Sequence, residues 1–351
     1  PKSSNLLDGE IVRNPDGSPV KVKGLFKDVK AVGWYVDIYK RAQISINFNN
    51  YKVSSIHDVF DAACELAEKR GVRVTGSELV GLVPEDALLM AGNHYLKKQH
   101  RSLGIPKEDI IETAVQSLGL NDVVPFNPSK KIIEYSIIND EKKLSSLRMT
   151  EFIDELSRNS VAPGGGSASA LVGSLGASLL SMVASLTHEK KDYINIKNEM
   201  GDIGLEAQSL KNRLTTLIDE DTNAFNQLIK MNRLPDSTPS ESKYKKESIK
   251  KANEYAIAVP YEVASLCFCV LEIAKNLVEK GNPNSISDVE VASEAALGGL
   301  RGAAMNVLIN LKGIDDKIYA KKTVKDIQIL IKKAESLHKK IFNKSINTIN
   351  K

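Results

Sequence analysis

From Met149 to Lys351 no segment of this chain alternates apolar and polar residues in the way of a strand, and this constrains its fold more than any other feature. Helical periodicity runs through 150–158, 166–188, 194–232, 240–258, 261–280, 287–312 and 317–345, punctuated by Pro163, Pro235, Pro260 and Gly281-Asn282-Pro283. Such a chain buries its apolar stripes only by packing helix on helix, which predicts an all-α helical bundle. The first part reads differently. Val29–Val36 and Gln43–Phe48 alternate like half-buried strands, and Val72–Val83 contains a third candidate. Ser55 and Asp58 have the spacing of a helix start, with Val59, Ala63, Leu66 and Ala67 as the apolar face. Pro84 opens a helix through Leu96 and Pro106 another through Leu118. The expectation is an α+β subdomain over 1–140, a linker over 141–148 where the chain turns charged and polar, and the bundle over 149–351.

At 351 residues the chain exceeds the usual range of one core, in keeping with two domains. Apolar residues make up 42% and charged ones 26%, and the net charge of +4 is spread without basic runs, so nucleic-acid binding is not indicated. The longest apolar stretch, Ala168–Leu186, is interrupted by Ser and Gly, so no membrane span is expected. Cys64, Cys267 and Cys269 read as reduced, buried thiols of a cytoplasmic protein. The opening from Pro1 has no signal-like apolar region, and Ser3–Pro19 is polar and turn-rich.

One carboxylate stands out. In the helix containing Asn198–Lys230, Leu210, Leu214, Leu217, Ile218, Phe225 and Leu228 form an apolar stripe, and Asp221 falls on it. Burial without a partner would cost several kcal/mol and raise its pKa, which suits a carboxyl group that exchanges protons near neutral pH. A buried ion pair with Lys or Arg is the structural alternative. Asp219 lies with Asn212, Thr215, Thr222 and Asn226 on the opposite, polar face.

Pro163-Gly164-Gly165-Gly166-Ser167 precedes a long helix, leaving backbone N–H groups free to meet an anion at its positive end, or simply making a tight turn. The small residues Ala170, Gly173, Ala177, Ser181 and Ala184 that follow allow another helix to approach closely. Ser287-Asp288-Val289-Glu290 fits a capping box. Beyond it, Gly299, Gly302, Ala303, Asn306 and Asn310 share a stripe whose two amides suit either a pocket for a heterocycle or contacts between helices. His57, His94, His100, His188 and His338 show no metal-ligand spacing, so no metal is expected, and there is no serine-hydrolase elbow.

Ser160–Ser167, Leu214–Asp221, Arg233-Leu234-Pro235 and Asn306–Leu311 together resemble the formimidoyltetrahydrofolate cyclodeaminase family. Ala31–Tyr35, Ala42–Ser45 and Gly76–Pro84 resemble the C-terminal subdomain of glutamate formiminotransferase, and the order of the two implies the bifunctional family. The resemblance implies tetrahydrofolate as one-carbon carrier and substrate, in polyglutamylated form, no metal, and a homo-oligomer of dimers. It places the transferase's general-base histidine in an N-terminal subdomain that this chain is expected to lack. It makes Asp221 the proton-transfer group of a ring closure releasing ammonia, with Gly164, Gly165, Gly166, Ser167, Asp288, Asn306 and Asn310 as pocket members. Two other readings stay open: a methenyltetrahydrofolate cyclohydrolase, and a non-catalytic scaffold that assembles a formiminotransferase.

Overall fold

A computed structural model describes residues 10–21, 23–137 and 143–351, so the start of Ser3–Pro19 and of the 141–148 linker lies outside the described residues. Contacts divide the chain into two compact units, Pro1–Tyr95 with Ile111–Ile138, and Leu96–Ile110 with Asn139–Lys351.

In the first unit β1 (Val29–Val36) and β2 (Arg41–Phe48) form an antiparallel hairpin that pairs Val29 with Phe48 and Val36 with Arg41. Both strands were expected to be half-buried, but Val32, Trp34, Tyr35 and Ile44 are exposed, because no second layer covers the hairpin among the described residues. α1 (Ile56–Glu68) starts as its sequence predicts, with the Ser55 hydroxyl accepting from the Asp58 N–H at 3.2 Å. α2 (Glu85–Lys98) and α3 (Lys107–Ser117), whose facing ends within Leu96–Ile110 belong to the second unit, and the short α4 (Pro128–Lys131) and α5 (Ile133–Ser136) follow. Leu88, Ala91, Ala114, Val115, Leu118 and Ile132 fill the core. Val72–Val83 contains no strand. Ser77 donates its N–H to Gly119 O and its hydroxyl to Leu118 O, while Val83 makes an isolated parallel bridge to Ile132. The backbone N–H groups of Ser77 and Val83 thus bond to Gly119 and Lys131 instead of to a ladder.

The second unit is the expected bundle. Its helices are α6 (Met149–Ser157), α7 (Gly165–Glu189), α8 (Lys197–Asn232), α9 (Pro239–Lys280), α10 (Ile286–Asn310) and α11 (Lys317–Ile349). α7 packs against α8, α9 and α10. Its small residues allow this, since a Cβ on Gly173 would stand 2.5 Å from the Cys267 sulfur and one on Gly176 2.9 Å from the Ala292 carbonyl oxygen. Leu180, Leu214, Leu217, Leu271, Leu277 and Leu300 are wholly buried, each worth about 1.5–3 kcal/mol relative to exposure. Cys267 is buried as expected, its thiol pushed up to about 12 by desolvation, whereas Cys64 and Cys269 are only half-buried.

Two expectations are corrected. α7 and α9 are each long and apolar enough to cross a membrane despite the Ser and Gly interruptions, but 56% of the most apolar window of each is buried inside the protein, so packing accounts for their composition. Pro260 does not end a helix, because α9 runs through it. A proline leaves the carbonyl four residues back without its amide partner, and here the Asn310 side chain donates to that carbonyl, Ala256 O, at 2.7 Å. Asn310→Ala is therefore expected to cost about 1–3 kcal/mol in chemical denaturation. In a Pro260→Ala background, where the helix supplies its own amide, the same change is expected to cost clearly less.

Candidate active site

The first turn of α7 and the middle of α8 meet at one carboxyl group. Gly164 is the N-cap of α7, Gly165 and Gly166 open it, and Ser167 completes its first turn. Ser167 is wholly buried. Its hydroxyl donates to the Ile218 carbonyl at 2.8 Å and lies 3.1 Å from Thr222 Oγ1 and 3.4 Å from Asp221 Oδ2. Asp221 also accepts from the Ser167 backbone N–H. The carboxylate thus rests on the free amide end of a 25-residue helix, where the dipole favours negative charge. Glycine is required there, since a Cβ on Gly166 would overlap the carboxylate itself. A Cβ on Gly165 would stand 3.3 Å from Asn306 Nδ2, so α10 closes a third side. The Asn306 amide donates back to Gly302 O at 2.9 Å.

Burial pushes the Asp221 carboxyl above the ordinary carboxylate range, and the two Ser167 hydrogen bonds only partly oppose it. No lysine or arginine forms an ion pair with it among the described residues. The nearby arginine of α8, Arg213, is held by Glu220 at 2.6 Å and by Glu262 of α9 at 2.6 Å. The ion-pair alternative for Asp221 therefore finds no cation, and a helix N-terminus takes its place.

The fold brings Gly164, Gly165, Gly166, Ser167, Asp221 and Asn306 together. It does not bring Asp288, which lies in the first turn of α10, eighteen residues and about 27 Å of helix from Asn306. Asn310 lies near this end of α10 but spends its amide on Ala256 O. Thr222, expected on the polar face, instead meets the Ser167 hydroxyl. It was missed because a helix packed on α7 over a wide contact buries more than one stripe. Asp219 is not simply solvated but accepts from the Ser145 hydroxyl at 2.5 Å. Grooves of about 580 Å³ between α9 and α11 and about 470 Å³ between α10 and α11 lie elsewhere, and Asp221 lines neither. The histidines also group in ways their spacing hides: His57 and His94 stack with centroids 4.4 Å apart beside Asp58, and His338 lies beside Glu290 and Glu294.

A partly buried carboxyl group without a cation, set on a glycine-opened helix of a helical bundle, is the kind of group that proton-transfer enzymes use. The chain belongs to the formiminotransferase-cyclodeaminase family, whose model matches residues 148–329, and the formiminotransferase domain matches residues 9–138. The formimidoyltransferase-cyclodeaminase of Mus musculus is 34% identical over 315 residues, covering 89% of this chain and 58% of that protein. The chain thus spans less than two thirds of such relatives. The methenyltetrahydrofolate cyclohydrolase of Methylorubrum extorquens is 35% identical over 199 residues, covering 57% of this chain and 96% of that protein. The solved structure of formiminotetrahydrofolate cyclodeaminase from Thermotoga maritima has a TM-score of 0.49 and 26% identity, over 59% of this chain and 98% of that one.

Two outcomes follow from the geometry. Gly166→Ala should displace the carboxylate and lower any activity of the site by about 10²-fold or more, whereas Gly164→Ala, whose Cβ meets nothing within 4 Å, should leave it nearly unchanged. Because the folded pKa of Asp221 is raised, its favourable contribution belongs to the protonated form and is lost as pH rises through that value. Asp221→Asn should therefore melt above the unmodified protein at pH 8, with the difference shrinking towards the ordinary carboxyl value of 3.8. A melting-temperature series across this range checks the sign, and a variant less stable at pH 8 would reveal a favourable buried pair.

Proposed function

We propose that the helical unit closes the ring of 5-formiminotetrahydrofolate to 5,10-methenyltetrahydrofolate with release of ammonia. The observation that carries this reading is the Asp221 carboxyl group, desolvated, without a cation, and fixed by Ser167. N10 of the folate attacks the carbon of the protonated formimino group on N5 (N5–CH=NH2+) and loses its own proton, giving a tetrahedral carbon that bears a neutral amino group. That nitrogen gains a proton and leaves as ammonia. A single carboxyl group of raised pKa serves both transfers, accepting the N10 proton and delivering one to the leaving nitrogen. Asn306, beside Gly165, supplies an amide for the polar edge of the ring system.

Tetrahydrofolate in polyglutamylated form is the one-carbon carrier and substrate in this reading, and the protein works as a cytoplasmic homo-oligomer of dimers with no metal taking part in the reaction. Residues 1–140 form the transferase-related domain, 141–148 the linker and 149–351 the cyclodeaminase domain, and no catalytic residue is assigned to the first of these. A second reading, methenyltetrahydrofolate cyclohydrolase, is favoured by the Methylorubrum extorquens relative, 96% of whose length matches this chain. Both reactions work at the same folate carbon, and ammonia separates them.

Supplied with 5-formiminotetrahydrofolate, the intact chain is expected to release ammonia in step with methenyltetrahydrofolate absorbance. Asp221→Asn, at matched folding and oligomeric state, is expected to lose about 10²- to 10⁴-fold. Turnover should fall as pH drops through the raised pKa of Asp221, where the base becomes protonated. Hydrolysis of methenyltetrahydrofolate with no ammonia from the formimino compound would favour the cyclohydrolase. No turnover of either in a folded oligomer would favour the scaffold.

A further inference from the structure

α10 and α11 lie side by side, and the face they share carries polar groups that the protein itself does not satisfy. Four buried side-chain polar atoms of Glu290, His338 and Ser345 have no hydrogen-bond partner among the described residues. Both oxygens of Glu290 are among them. His338 Nε2 stands 3.2 Å from Glu294 Oε1 and 3.7 Å from Glu290 Oε1, yet hydrogen-bonds to neither. The wholly buried Ser345 hydroxyl lies beside Glu290 without hydrogen-bond geometry to it. Glu290 is also the residue that a capping box at Ser287–Glu290 would have turned outward. The helix instead begins at Ile286 and directs Glu290 towards α11.

We propose that Glu290, Glu294 and His338 hold a divalent transition-metal ion of the zinc class, clamping α11 onto α10. One oxygen of each carboxylate and a ring nitrogen lie within 4.8 Å of one another. Ligands about 2.0–2.2 Å from a zinc ion stand roughly 3–3.5 Å apart at tetrahedral or octahedral angles, so the observed 3.2 and 3.7 Å need little movement. A plain ion pair explains less. One imidazole proton can satisfy only one carboxylate, and it is aimed at neither. An imidazole with two carboxylates suits zinc or its first-row neighbours better than calcium or magnesium, which prefer oxygen alone. Ser345 then lies beside a ligating carboxylate, where an outer-shell group would orient it. The other comparable group, His57, Asp58 and His94, is already engaged: His94 Nε2 is 2.9 Å from Asp61 and Asp58 accepts from the Ser55 hydroxyl at 2.6 Å. The matched family segment contains Glu290 and Glu294 but ends at residue 329, before His338 and Ser345.

The test is calorimetric titration of the full chain, stripped with chelator, with zinc chloride, repeated with cobalt(II) to read its visible absorption. The expected result is one ion per chain at micromolar or tighter affinity, a raised melting temperature, and a cobalt spectrum typical of mixed nitrogen and oxygen ligands. Glu290→Gln and His338→Gln should each weaken binding by about 100-fold while the metal-free protein melts no lower. His94→Gln should change nothing. A folded chain that binds neither ion, or binding that survives both substitutions or is lost with His94→Gln, would overturn the proposal.

Discussion

The candidate site of the helical unit is organised around one contact, the Asp221 carboxylate against the first turn of α7. An ionised group at that depth needs compensation. It comes from the Ser167 N–H and hydroxyl at a helix N-terminus, not from a neighbouring cation. Because amides offset charge only in part, the group stays poised towards protonation. An arginine in the same place would have fixed it as a permanent carboxylate, useless as an acid. Arg213, on the same helix, is instead held by Glu220 and Glu262.

Keeping that contact explains the small residues. Gly166 is bare because the carboxylate occupies the space of its side chain, and Gly173 and Gly176 bring α9 and α10 against α7. The close approach in turn places Asn306 over Gly165. A few residues further on, Asn310 supplies the amide that lets α9 continue through Pro260. The glycine loop, the proline helix and the two asparagines are thus parts of one packing arrangement.

Much of this was legible in the sequence. Asp221 was singled out by its place on an apolar stripe, and the glycine turn by its place before a helix, because periodicity reports burial and glycine reports crowding. Partners were not legible, since they come from other helices. Nothing near Asp221 in sequence says that Ser167 will hold it, nor does spacing place His338 beside Glu290, 48 positions earlier. The Pro260 break, the Val72–Val83 strand and the Ser287–Glu290 cap failed for the same reason: each local rule was sound, and a tertiary hydrogen bond or packing contact overrode it.

The central claim is that Asp221 is desolvated and cation-free. It is tested most directly by titrating its side-chain carboxyl carbon by ¹³C NMR in the folded chain, assigned by difference against Asp221→Asn. The structure predicts a midpoint clearly above the ordinary value of 3.8. A midpoint at or below that value would mean that a cation or stronger hydrogen bonding holds the charge, and would contradict this account of the site.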